Sequence, residues 1–154
     1  MKKKQTGIIA SIILILIIIQ FFPVDKSVPE TDPSLDFFVI TNPRRKITAM
    51  IKTSCYDCHS YKTEYPWYSN LAPLSWLLRS HIKEGREHLN LSEFGKFSRE
   101  QRFIILASMK KEISEKEMPL KSYTFIHKEA MLTADMREAL INWLSTGRND
   151  IEAP

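Results

Sequence analysis

The sequence predicts an all-α domain behind one N-terminal helix that spans a membrane. An apolar run close to the N-terminus supports the spanning helix. Downstream, four stretches repeat apolar residues at the spacing of an amphipathic helix, and no stretch alternates with the period of a strand. We divide the 154 residues into a membrane segment (1–24), an extended linker (25–42), a helical domain (43–148) and a C-terminal tail (149–154).

Three lysines at positions 2–4 precede an apolar run over residues 7–24. This arrangement is typical of an export signal, and the run is close to the lower limit of about 17 residues for a spanning helix. No small-x-small cleavage site follows, so we expect an uncleaved signal anchor. The lysines should stay cytoplasmic and place the rest of the chain on the outer side.

Residues 23–42 contain Pro23, Pro29 and Pro33 among mostly polar residues, so the linker is predicted to be extended. Its apolar end, residues 37–40, could pack on the domain. Asn42 and Pro43 are then expected to cap and open the first helix. Its apolar stripe is predicted to be Ile47, Met50 and Ile51.

Three more helices follow. The second is predicted over residues 73–89, and the third begins at a capping box, Ser98 with Gln101. The last helix follows Thr133 and is expected to stop at Gly147. The residues expected to face the core are Leu74, Leu77, Leu78, His81, Ile82 and Gly85 in the second helix, Phe103, Leu106, Ala107 and Ile113 in the third, and Met136, Leu140, Trp143 and Leu144 in the last.

The net charge of +4 gives no case for nucleic-acid binding. The chain has 22 Lys and Arg against 18 Asp and Glu, and without the three N-terminal lysines it is nearly neutral at +1. We therefore expect no strong field that would steer a partner.

The two cysteines of the chain lie in the motif Cys55-Tyr56-Asp57-Cys58-His59. C-x-x-C-H is the attachment signature of a c-type haem. Two thiols at this spacing can add to the two vinyl groups of one porphyrin, and the next histidine supplies an axial nitrogen to the iron. We therefore predict one haem c, attached through Cys55 and Cys58 and ligated by His59.

Three other interpretations of the motif are open. A redox dithiol would expect a βαβ context, whereas the flanking pattern is helical. A structural zinc site would need about four ligands, and the other histidines, His81, His88 and His127, are scattered. A tight disulfide is the third alternative. The adjacent histidine favours haem over all three.

Met118 is the candidate for the sixth iron ligand. Met50, Met109 and Met136 lie on predicted helices, and Met131 is ambiguous. Met118 instead lies in a charged stretch, where Pro119 disfavours helical geometry. Small class I cytochromes c resemble this layout, with a Met-Pro loop before a closing helix. The alternatives are a packing role for Met118, His81 as the ligand, or an open position.

Several other residues are candidates for contact with the haem. Trp67, Tyr68 and Trp76 could pack on it, although core aromatics would look the same from sequence. His81 could ligate the iron, bond near it or be a core histidine. Arg86 could pair with a propionate or be a solvated charge. Gly85 suggests close approach of a backbone or the haem, and His127 could brace the Met118 loop or lie at the surface.

Three groups of residues resemble the bacterial haem-binding-domain family: Cys55–Ser60 with Tyr65–Asn70, Ala72 and Pro73; His81 with residues 84–90; and Met118–Leu120 with Tyr123, His127, Ala130, Leu132 and Thr133. The resemblance covers about residues 43–147. It implies one covalent haem on an exported, often membrane-anchored domain, and no settled activity.

The sequence thus predicts a cytochrome c-like helical domain around one covalent haem. We expect a single-pass protein of the bacterial inner membrane, with its domain in the periplasm, that transfers single electrons between redox partner proteins. The alternatives are a small peroxidase-like enzyme or a haem-based sensor, both with an open or displaceable sixth position. An electron carrier is favoured over an enzyme, and the sequence predicts no oligomeric state.

Overall fold

The computed structural model describes residues 2–150, with side chains for residues 4–146. This part of the chain is helical and contains no strand, which confirms the predicted fold class. Its α-helices are α1 (Lys2–Ile18), α2 (Phe37–Thr41), α3 (Arg45–His59), α4 (Leu74–His88), α5 (Arg99–Ser114), α6 (Lys121–Ile126) and α7 (Ala134–Asp150). Short 3-10 turns cover Ile19–Phe21, Pro33–Leu35, Trp67–Asn70, Leu91–Lys96 and Lys128–Ala130.

Helix α1 and the turn after it form the N-terminal apolar segment. The 18 residues Lys4–Phe21 have a mean hydropathy of 2.0, and none of them is buried in the protein. This helix is long and apolar enough to cross a membrane or to act as a signal sequence.

The predicted linker is extended only in part. Its C-terminal end forms a 3-10 turn and helix α2, because Asp32 and Asp36 cap these elements with their side chains. Phe37 is fully buried, with its ring centroid 4.8 Å from that of Phe94 and 6.0 Å from that of Trp143. The prediction of an extended segment up to residue 42 is therefore wrong at this end.

The first domain helix starts later than predicted. Asn42 adopts a left-handed conformation (φ 39°) and ends α2, while α3 begins at Arg45. Asn42 tolerates this geometry well, so its role is that of a C-cap instead of the predicted N-cap. The predicted stripe of Ile47, Met50 and Ile51 is buried, as expected.

The core lies between α3, α5, α7 and the segment 91–97. The predicted capping box of Ser98 and Gln101 is present at the start of α5. Leu106, Ile113, Leu140 and Leu144 are buried there. Phe103 and Ala107 are exposed, contrary to the prediction. They lie to one side of the stripe that Leu106 and Ile113 define on the helix.

Two helices differ from the prediction, one in its end and the other in its presence. Helix α7 continues through Gly147 to Asp150, so the predicted stop is wrong. Positions 149 and 150 of the predicted tail are therefore helical, and positions 151–154 lie outside the described residues. Helix α6, which has only six residues, was not predicted.

Helix α4 has nearly its predicted bounds but a different buried face. Ile82 and Ser75 are buried, whereas Leu74 and Leu77 are exposed. His81 is half-buried on the same helix. The apolar positions of α4 are thus only partly used by the protein core.

Candidate functional site

The C-x-x-C-H motif forms the last turn of α3, as the sequence predicts. Cys55 and Cys58 are one helical turn apart and are not joined in a disulfide. Burial raises the pKa of Cys55 to about 12 and, together with the negative charge of Asp57, raises the pKa of Cys58 to about 11. Both thiols are therefore protonated at neutral pH.

This environment does not favour a redox dithiol. Reactive cysteines in such proteins need a lowered pKa, which a helix N-terminus or a nearby cation provides. Here the pair lies at a helix C-terminus, whose partial negative charge disfavours a thiolate. A zinc site is not favoured either, because no group of three or more His, Cys, Asp or Glu side chains suited to a metal ion occurs in the described part of the chain.

His59 is oriented by the backbone at the end of α4. Its ring Nδ1 lies 3.1 Å from the carbonyl oxygen of Leu89. Because a carbonyl only accepts, Nδ1 carries the proton, and the lone pair of Nε2 is free to bind a metal. Burial also lowers the pKa of His59 and keeps the ring neutral. An N–H bonded to a backbone carbonyl is the usual support of a metal-binding histidine, so the residues fit a haem iron.

Gly85 allows α4 to pack directly on the motif. A Cβ atom at this position would lie 2.9 Å from the carbonyl oxygen of Cys58 and 3.3 Å from its carbonyl carbon. The expected close approach to Gly85 is confirmed, and the approaching group is the backbone of the second cysteine. Helix α4 thereby reaches Leu89 one turn later, where it bonds to His59.

Arg86 holds the chain that follows the motif. Its Nε donates to the carbonyl of Ser60 (2.8 Å), and Nη2 donates to the hydroxyl of Thr63 (2.9 Å). The guanidinium also lies over the ring of Tyr61, 5.1 Å from its centroid. Arg86 is therefore not a solvated charge, and its predicted pairing with a propionate stays a prediction.

Asp57, inside the motif, binds two neighbouring segments. Its carboxylate accepts from the backbone N–H of Glu64 (2.8 Å) and from the hydroxyl of Tyr123 on α6 (2.6 Å). Its carbonyl accepts from the hydroxyl of Thr63 (2.6 Å). This role of Asp57 is not among the roles predicted from the sequence. Two features of the sequence could have indicated it: the acidic Asp57 within the motif, and Tyr123 in the segment that resembles the family.

Tyr68 and His127 form a second polar link near the motif. His127 Nδ1 donates to the Glu129 carboxylate (3.0 Å), and in the neutral ring Nε2 accepts from the Tyr68 hydroxyl (2.6 Å). The His127 ring also stacks on Tyr123, with centroids 4.5 Å apart. Burial raises the pKa of Tyr68. His127 therefore braces α6 instead of lying free at the surface.

The two candidate tryptophans are not core residues. Trp67 is 77% exposed. Trp76 is 39% exposed, and its Nε1 donates to the carbonyl of Phe22 near the N-terminal helix (3.0 Å). Tyr65, two residues before Trp67, has a buried hydroxyl without a hydrogen-bond partner. The roles of Trp67, Tyr68 and Trp76 in contact with haem stay predictions.

Met118 lies in the loop between α5 and α6 and is half-buried. Its carbonyl accepts from Arg137 Nη1 on α7 (3.1 Å). Helix α6 begins three residues later and carries Tyr123, the partner of Asp57. The loop thus continues into a helix that is bonded to the motif. His81 lies one turn before Gly85 on α4, so both candidates for the sixth ligand stay predictions.

A family model described as the haem-binding domain matches residues 14–146. The chain belongs to this family. As a haem-binding domain, the protein has haem as its cofactor, and Cys55, Cys58 and His59 lie within the matched region. No curated protein and no solved structure matches the chain significantly.

Proposed function

We propose that this haem-binding domain is a membrane-anchored, monohaem c-type cytochrome that transfers single electrons. The observation that carries the proposal is the orientation of His59. Its Nδ1–H is used by the Leu89 carbonyl, which leaves Nε2 of the residue that follows Cys58 to bind iron. When bound, the haem supplies the one-electron iron couple.

Cys55 and Cys58 would hold the cofactor through thioether bonds. Both are protonated, and neither is consumed by a disulfide. The contact of Gly85 with the Cys58 backbone and the bonds of Asp57 fix the last turn of α3 from two sides. A fixed attachment site supports a carrier whose cofactor must not dissociate.

Met118 is proposed as the second axial ligand. Its loop is held by Arg137 on one side and continues into α6, which is bonded to the motif, on the other. A His/Met pair raises the reduction potential relative to two histidines. A closed iron site of this kind suits electron transfer and needs no substrate pocket.

The second candidate function is an enzyme or a sensor with an open sixth position. The half-buried His81, on the helix that contacts the motif through Gly85, favours it. A polar side chain at that place could bond a bound peroxide or gas. The number of ligands on the resting iron separates this candidate from an electron carrier.

The proposed location is the inner membrane of a bacterium, with the domain in the periplasm. The apolar helix over Lys4–Phe21 supports the anchor, and the lysines before it support the orientation. The nearly neutral domain is expected to meet redox partner proteins on that side. Nucleic acid is not among the proposed partners.

The test is a visible spectrum of the purified full-length protein in both oxidation states. We expect a weak far-red charge-transfer band of thioether-ligated iron(III) and poor binding of carbon monoxide to the reduced protein. Met118→Ala should abolish the band, allow carbon monoxide to bind and lower the potential, since a soft ligand is lost. His81→Ala is the control and should leave the band intact.

A different spectrum would contradict electron transfer as the primary function. If the unaltered protein is high-spin, binds carbon monoxide readily and consumes peroxide in a way that depends on His81, the enzyme replaces the carrier. If the unaltered protein binds a gas without turnover, a sensor replaces the electron carrier as the proposed function.

A further inference from the structure

The end of the N-terminal helix is bonded directly to the haem-binding domain. The side-chain amide of Gln20 makes two hydrogen bonds with the backbone of Ala72. Its Nε2 donates to the Ala72 carbonyl, and its Oε1 accepts from the Ala72 N–H, both at 3.0 Å. Both backbone groups of Ala72, a buried residue just before α4, are thus satisfied by a side chain of the N-terminal segment.

Two further contacts follow within six residues of Gln20. The carbonyl of Phe22 accepts from the indole N–H of Trp76 (3.0 Å). The ammonium of Lys26 donates to the hydroxyl of Ser69 (2.8 Å) and to the amide oxygen of Asn70 (2.6 Å). Three successive contacts along residues 20–26 therefore attach this segment to residues 69–76, which include the end of a 3-10 turn and the start of α4. The segment is thus not a free spacer.

The dimensions of a bilayer place this junction at the membrane surface. The 18-residue helical segment Lys4–Phe21 is about 27 Å long at 1.5 Å per residue. That length is close to the hydrocarbon thickness of about 30 Å, and the polar layer on each side adds roughly 5–7 Å. Gln20 is the penultimate residue of the segment and thus lies at the boundary. Leu71 and Leu74 are within two residues of Ala72, at most about 7 Å along the chain.

The side chains around the junction are apolar and exposed. Leu71 is 43% and Leu74 is 47% exposed, and Phe21, Phe22 and Trp76 are exposed as well. We call these five residues the junction face. A tryptophan with a bonded N–H and an exposed ring is typical of the membrane–water interface. Exposed large apolar side chains grouped around one junction are typical of a surface that contacts a membrane or another protein.

We propose that the junction face docks into the headgroup layer of the lipid bilayer and holds the haem motif at the membrane surface. The proposal rests on the proposed anchoring of α1. It assigns Trp76 to the junction instead of the haem. The continuity of the face with the spanning helix, through Gln20 and Phe22, selects lipid as its occupant.

The junction limits how far the haem motif can move from the end of the membrane helix. Tyr68 is linked to the motif through His127, whose ring stacks on Tyr123, the partner of Asp57. Tyr68 also directly precedes Ser69, which is bonded to Lys26. A flexible spacer over the predicted linker of 18 residues would have let the domain range over roughly 20–25 Å. The junction instead links the haem motif to the end of the membrane helix through a few bonded residues.

The test uses the full-length, haem-loaded protein in vesicles of phosphatidylethanolamine and phosphatidylglycerol. One preparation contains a phospholipid with a photoreactive diazirine at the glycerol level, and another has the diazirine in the acyl chain. Peptide mapping after illumination should show the glycerol-level label on residues 69–76, severalfold above the label on α7. The acyl-chain label should appear on α1. Leu71→Glu should reduce the glycerol-level label, whereas Ile104→Glu, at an exposed position of α5, should not.

The two possible failures are distinguishable. If the acyl-chain label marks α1 but the glycerol-level label on residues 69–76 does not exceed that on α7, the domain is anchored but does not dock, and the proposal is overturned. If α1 takes no acyl-chain label, the anchoring in the proposed function is overturned and docking falls with it. An equal loss of label in the Ile104→Glu control would also overturn the assignment of the junction face.

Discussion

Helices α3 and α4 have the same length, 15 residues, and similar amphipathic sequences, yet their apolar residues have different surroundings. Helix α3 buries Ile47, Met50 and Ile51 in the core, as its sequence pattern predicts. Helix α4 buries Ile82 but leaves Leu74 and Leu77 exposed. The two helices meet at the C-x-x-C-H motif.

The difference shows that an amphipathic pattern does not specify what covers the apolar face. This chain binds a large apolar cofactor and has a segment able to span a membrane. An apolar helix face can therefore be covered by protein, by the cofactor or by lipid. The apolar face of α3 is covered by protein, whereas α4 has exposed apolar positions that the cofactor or lipid could cover.

The largest effect is expected for Ile51→Ala, compared with Leu77→Ala. Ile51 is 1% exposed, so truncation should lower the free energy of unfolding by about 2–5 kcal/mol. Leu77 is 55% exposed, and its truncation should change this free energy by no more than about 0.5 kcal/mol. Denaturant titration followed by circular dichroism measures both. A loss for Leu77→Ala as large as that for Ile51→Ala would contradict the difference in burial between the two helices.

Tyr123→Phe should have the next largest effect. The substitution removes a hydrogen bond of 2.6 Å to the Asp57 carboxylate. Hydrogen bonds to charged groups contribute about 1.5–3 kcal/mol, and we expect the lower end because Tyr123 is partly exposed. Denaturant unfolding measures the loss, with Phe125→Leu on the exposed face of α6 as the control. Equal stability of Tyr123→Phe and the unaltered protein would show that α6 is not held through Asp57.

Gly85→Ala should destabilise the protein by a smaller net amount. Alanine is favoured over glycine within a helix by about 1 kcal/mol. The added Cβ, however, would lie 2.9 Å from the Cys58 carbonyl oxygen, and overpacking of this kind costs about 1–3 kcal/mol. We expect a net loss of stability and a lower yield of haem-loaded protein, neither of which should occur for Glu84→Ala at the exposed neighbouring position. A more stable Gly85→Ala variant with full haem loading would contradict the close packing of α4 on the motif.

The smallest effect is expected in the pH dependence of the protein's stability, through Glu129 in the turn after α6. Hydrogen bonds from its own backbone and from His127 lower the pKa of Glu129 below its usual 4.5. A lowered pKa stabilises the fold above pH 4.5, and this contribution is lost as the pH falls through the lowered pKa. The unaltered protein should therefore lose slightly more stability below pH 4.5 than Glu129→Gln does. Parallel loss in the two proteins would indicate that the hydrogen bond from His127 to Glu129 contributes nothing to stability.

The sequence predicted those features that depend on neighbouring residues. The capping box at Ser98, the bounds of α4 and the motif at the end of α3 all have local signals, and the structure contains each of them. Asn42 was misassigned because asparagine suits both a helix start and a left-handed helix end. Gly147 was misassigned because a glycine cap is a preference that an extended helix can override.

The support of the candidate site could not be predicted, because its partners are distant in sequence. Tyr123 is 66 residues from Asp57, and the partner of His59 is a backbone carbonyl 30 residues away. A carbonyl acceptor has no residue signature. The exposure of the apolar positions of α4 could not be predicted either, because burial depends on which elements pack against a helix and not on its own periodicity.

The most direct test of the central claim is the mass of the full-length chain after denaturation and acid–acetone extraction. If Cys55 and Cys58 form thioether bonds, the polypeptide should retain the mass of one haem, and Cys55→Ala combined with Cys58→Ala should yield the bare chain. A bare chain from the unaltered protein, with all haem in the extract, would contradict covalent attachment and with it the assignment as a c-type cytochrome.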